Sequence, residues 1–249
     1  MSARPNFRFH RDPRFSANQL AEYMQANTAR QRETVIRAAK FPRTTAVVAY
    51  TASRNIISDF LPSHEDGFAS FDQQIQRLHT KLRREPDGWN QDEIKRNIEA
   101  LSAFKTTFAK RRLKRLEFTT GPVDLTMSLR GVRINTRLDA GIVEYDDDGA
   151  AFGGGIVLFL ASGAASRKNI PEKAKVVASL VHWNLEKKGG NIEPLARLCM
   201  SIDVFGGEIT KAPTAIDRLR ANVESSCREA AGTWSSVPPP SGYDGPAWE

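Results

Sequence analysis

Cationic side chains are concentrated at one point of the chain, in residues 110–115, which we call the basic segment. Five of its six residues are cations: Lys110, Arg111, Arg112, Lys114 and Arg115. Lysine and arginine neutralise phosphates wherever they can reach them, so this segment is a candidate for contact with a nucleic-acid backbone. The alternative is a solvated helix end whose charges complement the helix dipole. That alternative accounts for two or three cations better than for five.

A second group of cations lies near the N-terminus, where arginines alternate with aromatic residues. The arginines are Arg8, Arg11 and Arg14, and they interleave with Phe7, Phe9 and Phe15. Such alternation suits stacking on unpaired bases. It equally fits an extended arm packed against the core, and we favour the arm.

The distribution of charge along the chain supports a polyanionic partner. The net charge is +7 in 249 residues, but residues 1–121 hold 22 Lys and Arg against 13 Asp and Glu, while the remainder holds 14 against 16. An asymmetry of this kind predicts that the first half binds nucleic acid, DNA in the first instance. A general solubility charge is the alternative.

Complete catalytic motifs are missing from the sequence. The four histidines have no metal-ligand spacing, and Ser162 and Ser166 lack the nucleophile-elbow pattern. Gly153-Gly-Gly155 precedes an apolar run, whereas a phosphate cradle needs a helix N-terminus, so we expect a hairpin or a bulge there. The acidic run Asp146–Asp148 is too short for a calcium loop and suits a hairpin turn.

Helical periodicity dominates the first half of the chain. Apolar residues recur three and four positions apart, and Ser16 with Gln19 forms a capping box at the start of the first helix. The fourth and fifth helices follow each other across a short turn at 85–88 and should form an antiparallel hairpin. The predicted helices are 16–24, 29–40, 44–61, 68–84 and 90–116.

The period changes to strict alternation after Gly121-Pro122. We predict three consecutive strands that form a meander, then a helix, a strand with a short return, and a last helix. The third strand is unbroken in apolarity and is therefore expected to be central. The predicted elements are strands 123–130, 132–145 and 153–161, helix 171–188, strands 195–205 and 208–210, and helix 214–234.

This order of elements, together with the stretch Arg137-Leu-Asp-Ala-Gly-Ile-Val-Glu144, resembles the PD-(D/E)XK nuclease superfamily, particularly its RecB-type exonuclease branch. The resemblance extends over roughly residues 15–234. It implies an α/β protein with a restriction-endonuclease-like αβββαβ core and a helical N-terminal portion. It also implies that Asp139 stands at the family's metal-binding aspartate position.

The third strand departs from the family pattern of an acidic residue, any residue, then lysine. It reads Ile156-Val-Leu-Phe-Leu-Ala161 and supplies neither group. A divalent cation needs several oxygen ligands, and hydrolysis needs a group that orients water. We therefore expect no catalytic residues, no metal and no cofactor, and no loss of stability when Asp139→Ala removes a supposed ligand in the presence of metal.

An active site with displaced groups remains the alternative. In that case Mg²⁺ or Mn²⁺ would be held by Asp139 with Glu33, Glu22 or Glu144, and Lys168 would supply the positive charge. If Asp139 has no such role, it is a solvent-facing or arginine-paired residue on a strand.

The patterns divide the chain into a basic helical portion (1–121), a mixed-sheet nuclease-like core (122–236) and a flexible Pro-rich tail (237–249). The two cysteines, Cys199 and Cys227, lie far apart in the sequence within periodic segments, so we expect buried thiols in a reducing compartment. No secretory signal or membrane-spanning run is recognisable, which predicts a cytoplasmic protein without membrane contact.

Three functional hypotheses follow. The first is a nuclease-like, catalytically inactive protein that binds nucleic acid, within a larger nucleoprotein assembly with other subunits. The second is an active Mg²⁺- or Mn²⁺-dependent DNA nuclease with displaced ligands. The third is an adaptor in a multiprotein complex whose charge serves solubility.

Overall fold

Two structural units alternate along the chain. The computed structural model describes residues 6–44, 50–111, 113–119, 121–162, 169–190 and 192–248. The first unit is formed by 1–47, 124–136 and 215–249, and the second by 48–123 and 137–214. The protein is a mixed α/β protein, but this division differs from the predicted linear one, because each unit draws on both halves of the sequence.

The first unit combines helices with a three-stranded sheet. Its helices are α1 (Ala17–Met24), α2 (Ala29–Lys40) and α7 (Asp217–Trp234). Its strands follow the order β1-β4-β3, with β1 parallel to β4. Their bounds are Arg14–Ser16 for β1, Val123–Leu129 for β3 and Val132–Leu138 for β4.

Local capping explains why the first two helices begin where the sequence predicts. The Ser16 side chain accepts the Gln19 N–H, and the Gln19 side chain accepts the Ser16 N–H. Thr28 and Gln31 form the same capping box at α2. Each box satisfies backbone donors that the first helical turn leaves without partners, so both predicted starts are confirmed.

The second unit contains a five-stranded mixed sheet in the order β2-β5-β6-β7-β8. The apolar strand β6 lies at its centre, as predicted, and pairs with β5 antiparallel and with β7 parallel. Helix α6 (Ile170–Lys188) connects the two parallel strands. The bounds are Glu117–Thr119 for β2, Ala140–Tyr145 for β5, Ala151–Phe159 for β6, Glu193–Asp203 for β7 and Glu208–Lys211 for β8.

Three helices of the second unit share one apolar core with its sheet. They are α3 (Thr51–Phe60), α4 (Ala69–Arg84) and α5 (Trp89–Lys110). Phenylalanine rings from all three pack in this core. The predicted α4–α5 hairpin is confirmed by its side chains, since the Phe71 and Phe104 rings pack 6.0 Å apart. Helix α3 begins later than predicted, and residues 45–49 lie outside the described residues.

The predicted three-stranded meander is wrong. The expected strand 132–145 is interrupted at Asp139, and its two parts, β4 and β5, pair in different sheets. The Asp139 carboxylate accepts the Leu158 N–H, where a continuing strand would offer a backbone carbonyl. The Asp139 side chain therefore occupies the place of a backbone acceptor in the hydrogen-bond ladder. The strands form two hairpins, β3–β4 and β5–β6, instead of one meander.

The glycine run in β6 forms a bulge, as predicted. The β6–β7 register shifts between Gly153 and Gly155. A Cβ built on Gly154 would lie 2.2 Å from the Leu198 carbonyl oxygen, so only glycine permits this approach of the two backbones.

The C-terminal segment packs in the first unit, whereas the sequence predicted a flexible tail. The Tyr243 ring lies edge-on to Phe41 at 5.0 Å, and the Asn6 amide nitrogens donate to the Asp244 carboxylate. Buried Lys40 donates from Nζ to the carbonyls of Trp234, Ser235 and Val237 at 2.8–3.1 Å. Aromatic burial and this capping ammonium hold the segment despite its prolines.

Candidate functional site

Asp139 is fully buried in the one-residue gap between β4 and β5. Arg54 Nη1 lies 2.6 Å from both carboxylate oxygens, and the Leu158 N–H donates to Oδ2 at 2.7 Å. Burial raises the pKa of the Asp139 carboxyl, while the Arg54 guanidinium and the Leu158 N–H oppose that shift. Of the roles that the sequence allows for Asp139, the structure shows the arginine-paired one.

Helix α3 positions the arginine of this pair. Arg54 also donates from Nη2 to the Leu158 carbonyl at 2.9 Å, so one guanidinium binds both the carboxylate and β6. The start of α3 is fixed by the Ser53 N–H, which donates to the buried Asn97 side chain of α5 at 2.8 Å. Two helices and the central strand therefore determine the geometry around Asp139.

This arrangement leaves Asp139 poorly suited to bind a metal ion. Hard divalent cations take several oxygen ligands, but both Asp139 oxygens are held by a guanidinium and a backbone amide. The neighbouring residues Ile156–Phe159 of β6 are buried. Within the described ranges, no group of three or more His, Cys, Asp or Glu side chains is placed to hold a metal ion.

The ion pair leads to a different expectation for one variant than the sequence does. The sequence predicts that removal of the Asp139 carboxylate leaves stability unchanged in the presence of metal. Because the carboxylate partners a guanidinium whose side chain is only 21% exposed, its loss would leave a largely buried cation unpaired. We now expect Asp139→Ala to destabilise the protein with or without metal.

The acidic residues considered as displaced ligands are engaged elsewhere or belong to the other unit. Glu144 receives hydrogen bonds from both Arg197 terminal nitrogens, at 2.5 and 2.6 Å, and this bonding lowers the pKa of its carboxyl. It lies five residues beyond Asp139, about 16 Å along an extended strand. Glu33 pairs with Arg37 on α2, and Glu22 is exposed on α1. Lys168 lies outside the described residues.

The basic segment is largely solvent-exposed. It begins at the last residue of α5 and continues through a 3₁₀ turn at Leu113–Arg115. Lys110, Lys114 and Arg115 are exposed, and none of them forms an ion pair with another described residue. Arg112 lies outside the described residues. Three cations of the segment are therefore free to meet an anionic partner.

Arg111 is already engaged within the protein. Its Nε donates to the Gly207 carbonyl at 2.8 Å, and its Nη2 donates to Glu208 Oε1 at 2.5 Å. Both acceptors belong to the turn between β7 and β8 and the start of β8. The sequence gives no reason to distinguish among the five cations, but in the structure Arg111 already has partners within the protein.

Two buried side chains hold the basic segment in place. Leu113 is 2% exposed and packs in the apolar core. The buried imidazole of His64 contacts the Leu61 carbonyl through Nδ1 at 2.8 Å and the Lys114 carbonyl through Nε2 at 3.1 Å. The cationic side chains consequently extend from an anchored backbone.

A pocket of about 440 Å³ lies beside the basic segment. One wall is the last part of α5, including Thr106, Lys110 and Arg111, and the other is the end of β7 with its turn, including Phe205 and Gly207. Strands β6 and β7 are parallel, and the pocket lies at the carboxyl end of β7, where open α/β sheets commonly bind ligands.

The N-terminal arginines belong to the first unit and lie on an extended arm. The arm packs as expected: Arg8 N–H donates to the Pro42 carbonyl, and Phe9 stacks on Phe41 at 5.6 Å. Phe7 and Phe15 are buried in the protein, so these rings are not available for stacking on bases. Arg8 and Arg11 are exposed, whereas Arg14 is half-buried near His10.

Sequence reasoning did not find Arg54, which is the partner that decides the role of Asp139. One signal was present: Arg54, Ile57 and Leu61 have the spacing of one helical face, so the arginine shares the apolar stripe of α3. Glu208 and His64 gave no comparable signal, because their partners are backbone groups or residues remote in sequence.

In comparison with known proteins, no family model and no curated protein matches this chain. Among the described residues, the helices are all too short or too polar to cross a bilayer.

Proposed function

We propose that this protein binds nucleic acid, with DNA as the first candidate, and that it does not cleave phosphodiester bonds. The observation that carries the proposal is the exposure of Lys110, Lys114 and Arg115 on an anchored backbone while the one candidate metal-binding aspartate is engaged by Arg54. A nuclease-like core of the PD-(D/E)XK type, working within a larger nucleoprotein assembly, is part of the same proposal.

The affinity would come mainly from phosphate contacts. Cations that neutralise phosphates release counterions, so binding weakens as salt is added and depends little on sequence. The three exposed cations project from 110–115 without ion-pair partners among the described residues. This exposure favours a polyanion over the adaptor hypothesis, which requires no such surface.

The absence of cleavage rests on the donors around Asp139. A metal-activated water requires a cation with open positions, and a carboxylate bonded to a guanidinium and an amide offers it little. The apolar side chains of Ile156, Leu158 and Phe159 provide neither a ligand nor a group that orients water. The free, buried cysteines support a reducing compartment, and we place the protein in the cytoplasm.

Binding is tested with a variant that neutralises the three free cations: Lys110→Gln, Lys114→Gln and Arg115→Gln together. Fluorescence anisotropy with a short labelled DNA should show weaker binding to every sequence. The slope of log K against log salt should become shallower by about 2 to 3, because up to three phosphate contacts are lost.

The matched control removes three exposed cations from the end of α4: Lys81→Gln, Arg83→Gln and Arg84→Gln. It changes net charge equally but leaves the basic segment intact. An equal loss of affinity in both variants would mean that binding follows net charge alone, and no binding by the unaltered protein would favour the adaptor hypothesis.

Cleavage is tested on single- and double-stranded DNA with Mg²⁺ or Mn²⁺. The proposal expects intact substrate throughout. Metal-dependent cutting that disappears in Lys168→Ala, while that variant remains folded, would establish the active nuclease with displaced groups instead.

A further inference from the structure

Beside the basic segment, the 440 Å³ pocket combines features that a simple phosphate contact does not need. Its volume lies within the usual range for small-ligand sites, about 300 to 1,000 Å³. Lys110 and Arg111 contribute positive charge, and Phe205 contributes a partly exposed aromatic ring. A cavity that offers cations and a ring together fits a ligand with both an anionic and a planar part.

The ring is held in place by a second aromatic residue. Tyr50 contacts Phe205 edge-on, with centroids 5.7 Å apart, and the Tyr50 hydroxyl is hydrogen-bonded to the Ser162 hydroxyl at 2.8 Å. Tyr50 also has a φ of +68°, a conformation that is unusual for a bulky residue and costs free energy. The fold therefore accepts local backbone strain at the residue that supports the Phe205 ring.

The cations must supply all the attraction for an anion at this place. The pocket adjoins the carboxyl end of α5, where the helix dipole is unfavourable for negative charge. Lys110 has no ion-pair partner among the described residues, and Arg111 shares its charge with Glu208. An incoming phosphate would thus meet Lys110 directly and compete with Glu208 for Arg111.

We propose that this pocket binds one nucleotide of a single-stranded nucleic acid, with the base stacked on Phe205 and the phosphate bound by Lys110 and Arg111. Stacking suits such a site because every base has a π face, and it requires an unpaired base. This inference rests on the proposed function and adds to it a preference for single strands and the place where one base is bound.

The test uses three probes: deoxyadenosine monophosphate, inorganic phosphate and deoxyadenosine. Calorimetry or NMR titration should show that the monophosphate binds more tightly than either other probe. Phe205→Leu should reduce its affinity to that of phosphate, and Lys110→Gln should reduce it towards that of deoxyadenosine, with Arg111 retaining part of the phosphate contact.

Two matched controls separate these effects from general ones. Phe152→Leu changes a partly buried phenylalanine near the N-terminal end of β6, whereas Phe205 follows the C-terminal end of the parallel strand β7. Lys175→Gln changes an exposed lysine on α6. Neither should alter binding of the monophosphate. Phe205→Trp retains a ring and should preserve binding with quenching of the added indole fluorescence, so a failure of Phe205→Leu to fold does not end the test.

Equal binding of phosphate and the monophosphate, unaffected by Phe205→Leu, would overturn the nucleotide assignment, and so would binding of none of the probes. If these results occur while DNA binding still depends on Lys114 and Arg115, the proposed function stands and only the pocket inference fails. If the monophosphate binds as described but DNA does not, the pocket is a site for a free nucleotide, and the proposed function fails together with the preference for single strands.

Discussion

The Asp139–Arg54 pair and the basic segment are two concentrations of charge in the same unit, and they use charge in opposite ways. At Asp139 the carboxylate is 0% exposed and its charge is satisfied by Arg54 and Leu158. In the basic segment Lys110, Lys114 and Arg115 remain in contact with solvent. The Asp139 charge is neutralised within the protein, while the charges of the basic segment are available to a partner.

Neither residue type nor spacing distinguishes these two cases. Asp139 resembles a catalytic residue in sequence and is structural in its contacts, whereas Arg111 stands among free cations and is bound to Glu208. The difference arises from what surrounds each charge. A buried ion survives only with partners, and an exposed one is stabilised by water.

The largest predicted effect concerns the buried Asp139–Arg54 pair. Asp139→Asn should lower the free energy of unfolding by about 3 to 5 kcal/mol, because it leaves the Arg54 guanidinium without its anion. Denaturant unfolding measures this change. The double variant Arg54→Met with Asp139→Leu should recover part of the loss, since it removes both charges together but leaves the Leu158 N–H and carbonyl without these partners.

The exposed Glu144–Arg197 pair serves as the matched control for that experiment. Glu144→Gln should cost less than about 1 kcal/mol, as is usual for surface ion pairs. Equal losses from Asp139→Asn and Glu144→Gln would show that burial at Asp139 does not set its role.

The next prediction concerns the anchor of the basic segment. His64→Leu removes the imidazole that contacts the Leu61 and Lys114 carbonyls, and with it at least one hydrogen bond, and should lower the free energy of unfolding by about 1 to 3 kcal/mol. It should also weaken DNA binding, because the cations lose a fixed backbone. His79→Leu, at a half-buried position on α4, is the control and should change both quantities less. Unaltered DNA binding in a folded His64→Leu variant would show that the segment binds without this anchor.

High pH should act on the buried groups. Burial raises the pKa of both Cys199 and Cys227 to about 12, against 9.0 for a free thiol. Between these values the unfolded chain releases thiol protons that the folded protein retains, so the free energy of unfolding should fall as pH rises from 9 towards 12. Unfolding measured across this range should give a shallower fall in the double variant Cys199→Ala, Cys227→Ala. Identical slopes would contradict the assignment to the thiols.

The smallest predicted effect concerns Arg111, the described cation of the basic segment that is bound within the protein. Glu208→Gln removes the anion that pairs with Arg111 and should strengthen DNA binding by a few-fold, with a change in unfolding free energy below about 1 kcal/mol. Anisotropy at low salt measures the gain. Glu193→Gln, which removes an exposed carboxylate at the start of β7, should produce less than half of that gain.

Elements that depend on local interactions could be predicted from the order of residues. The capping residues Ser16 and Thr28 set the starts of α1 and α2, the unbroken apolar run marked β6 as central, and the glycines predicted its bulge. The caps follow from neighbouring side chains and backbone groups, and the apolar run and the glycines of β6 are visible in the order of residues, although the strands that pair with β6 are not.

The tertiary structure alone decided how those elements are grouped and which charges are free. Arg54, 85 positions before Asp139, pairs with the aspartate that resembles a metal ligand. Glu208 likewise engages Arg111 from 97 positions away. Alternation of side chains shows that a strand exists but not which strand it pairs with, and composition shows charge but not its partner. Both depend on contacts that form only when distant parts of the chain fold together.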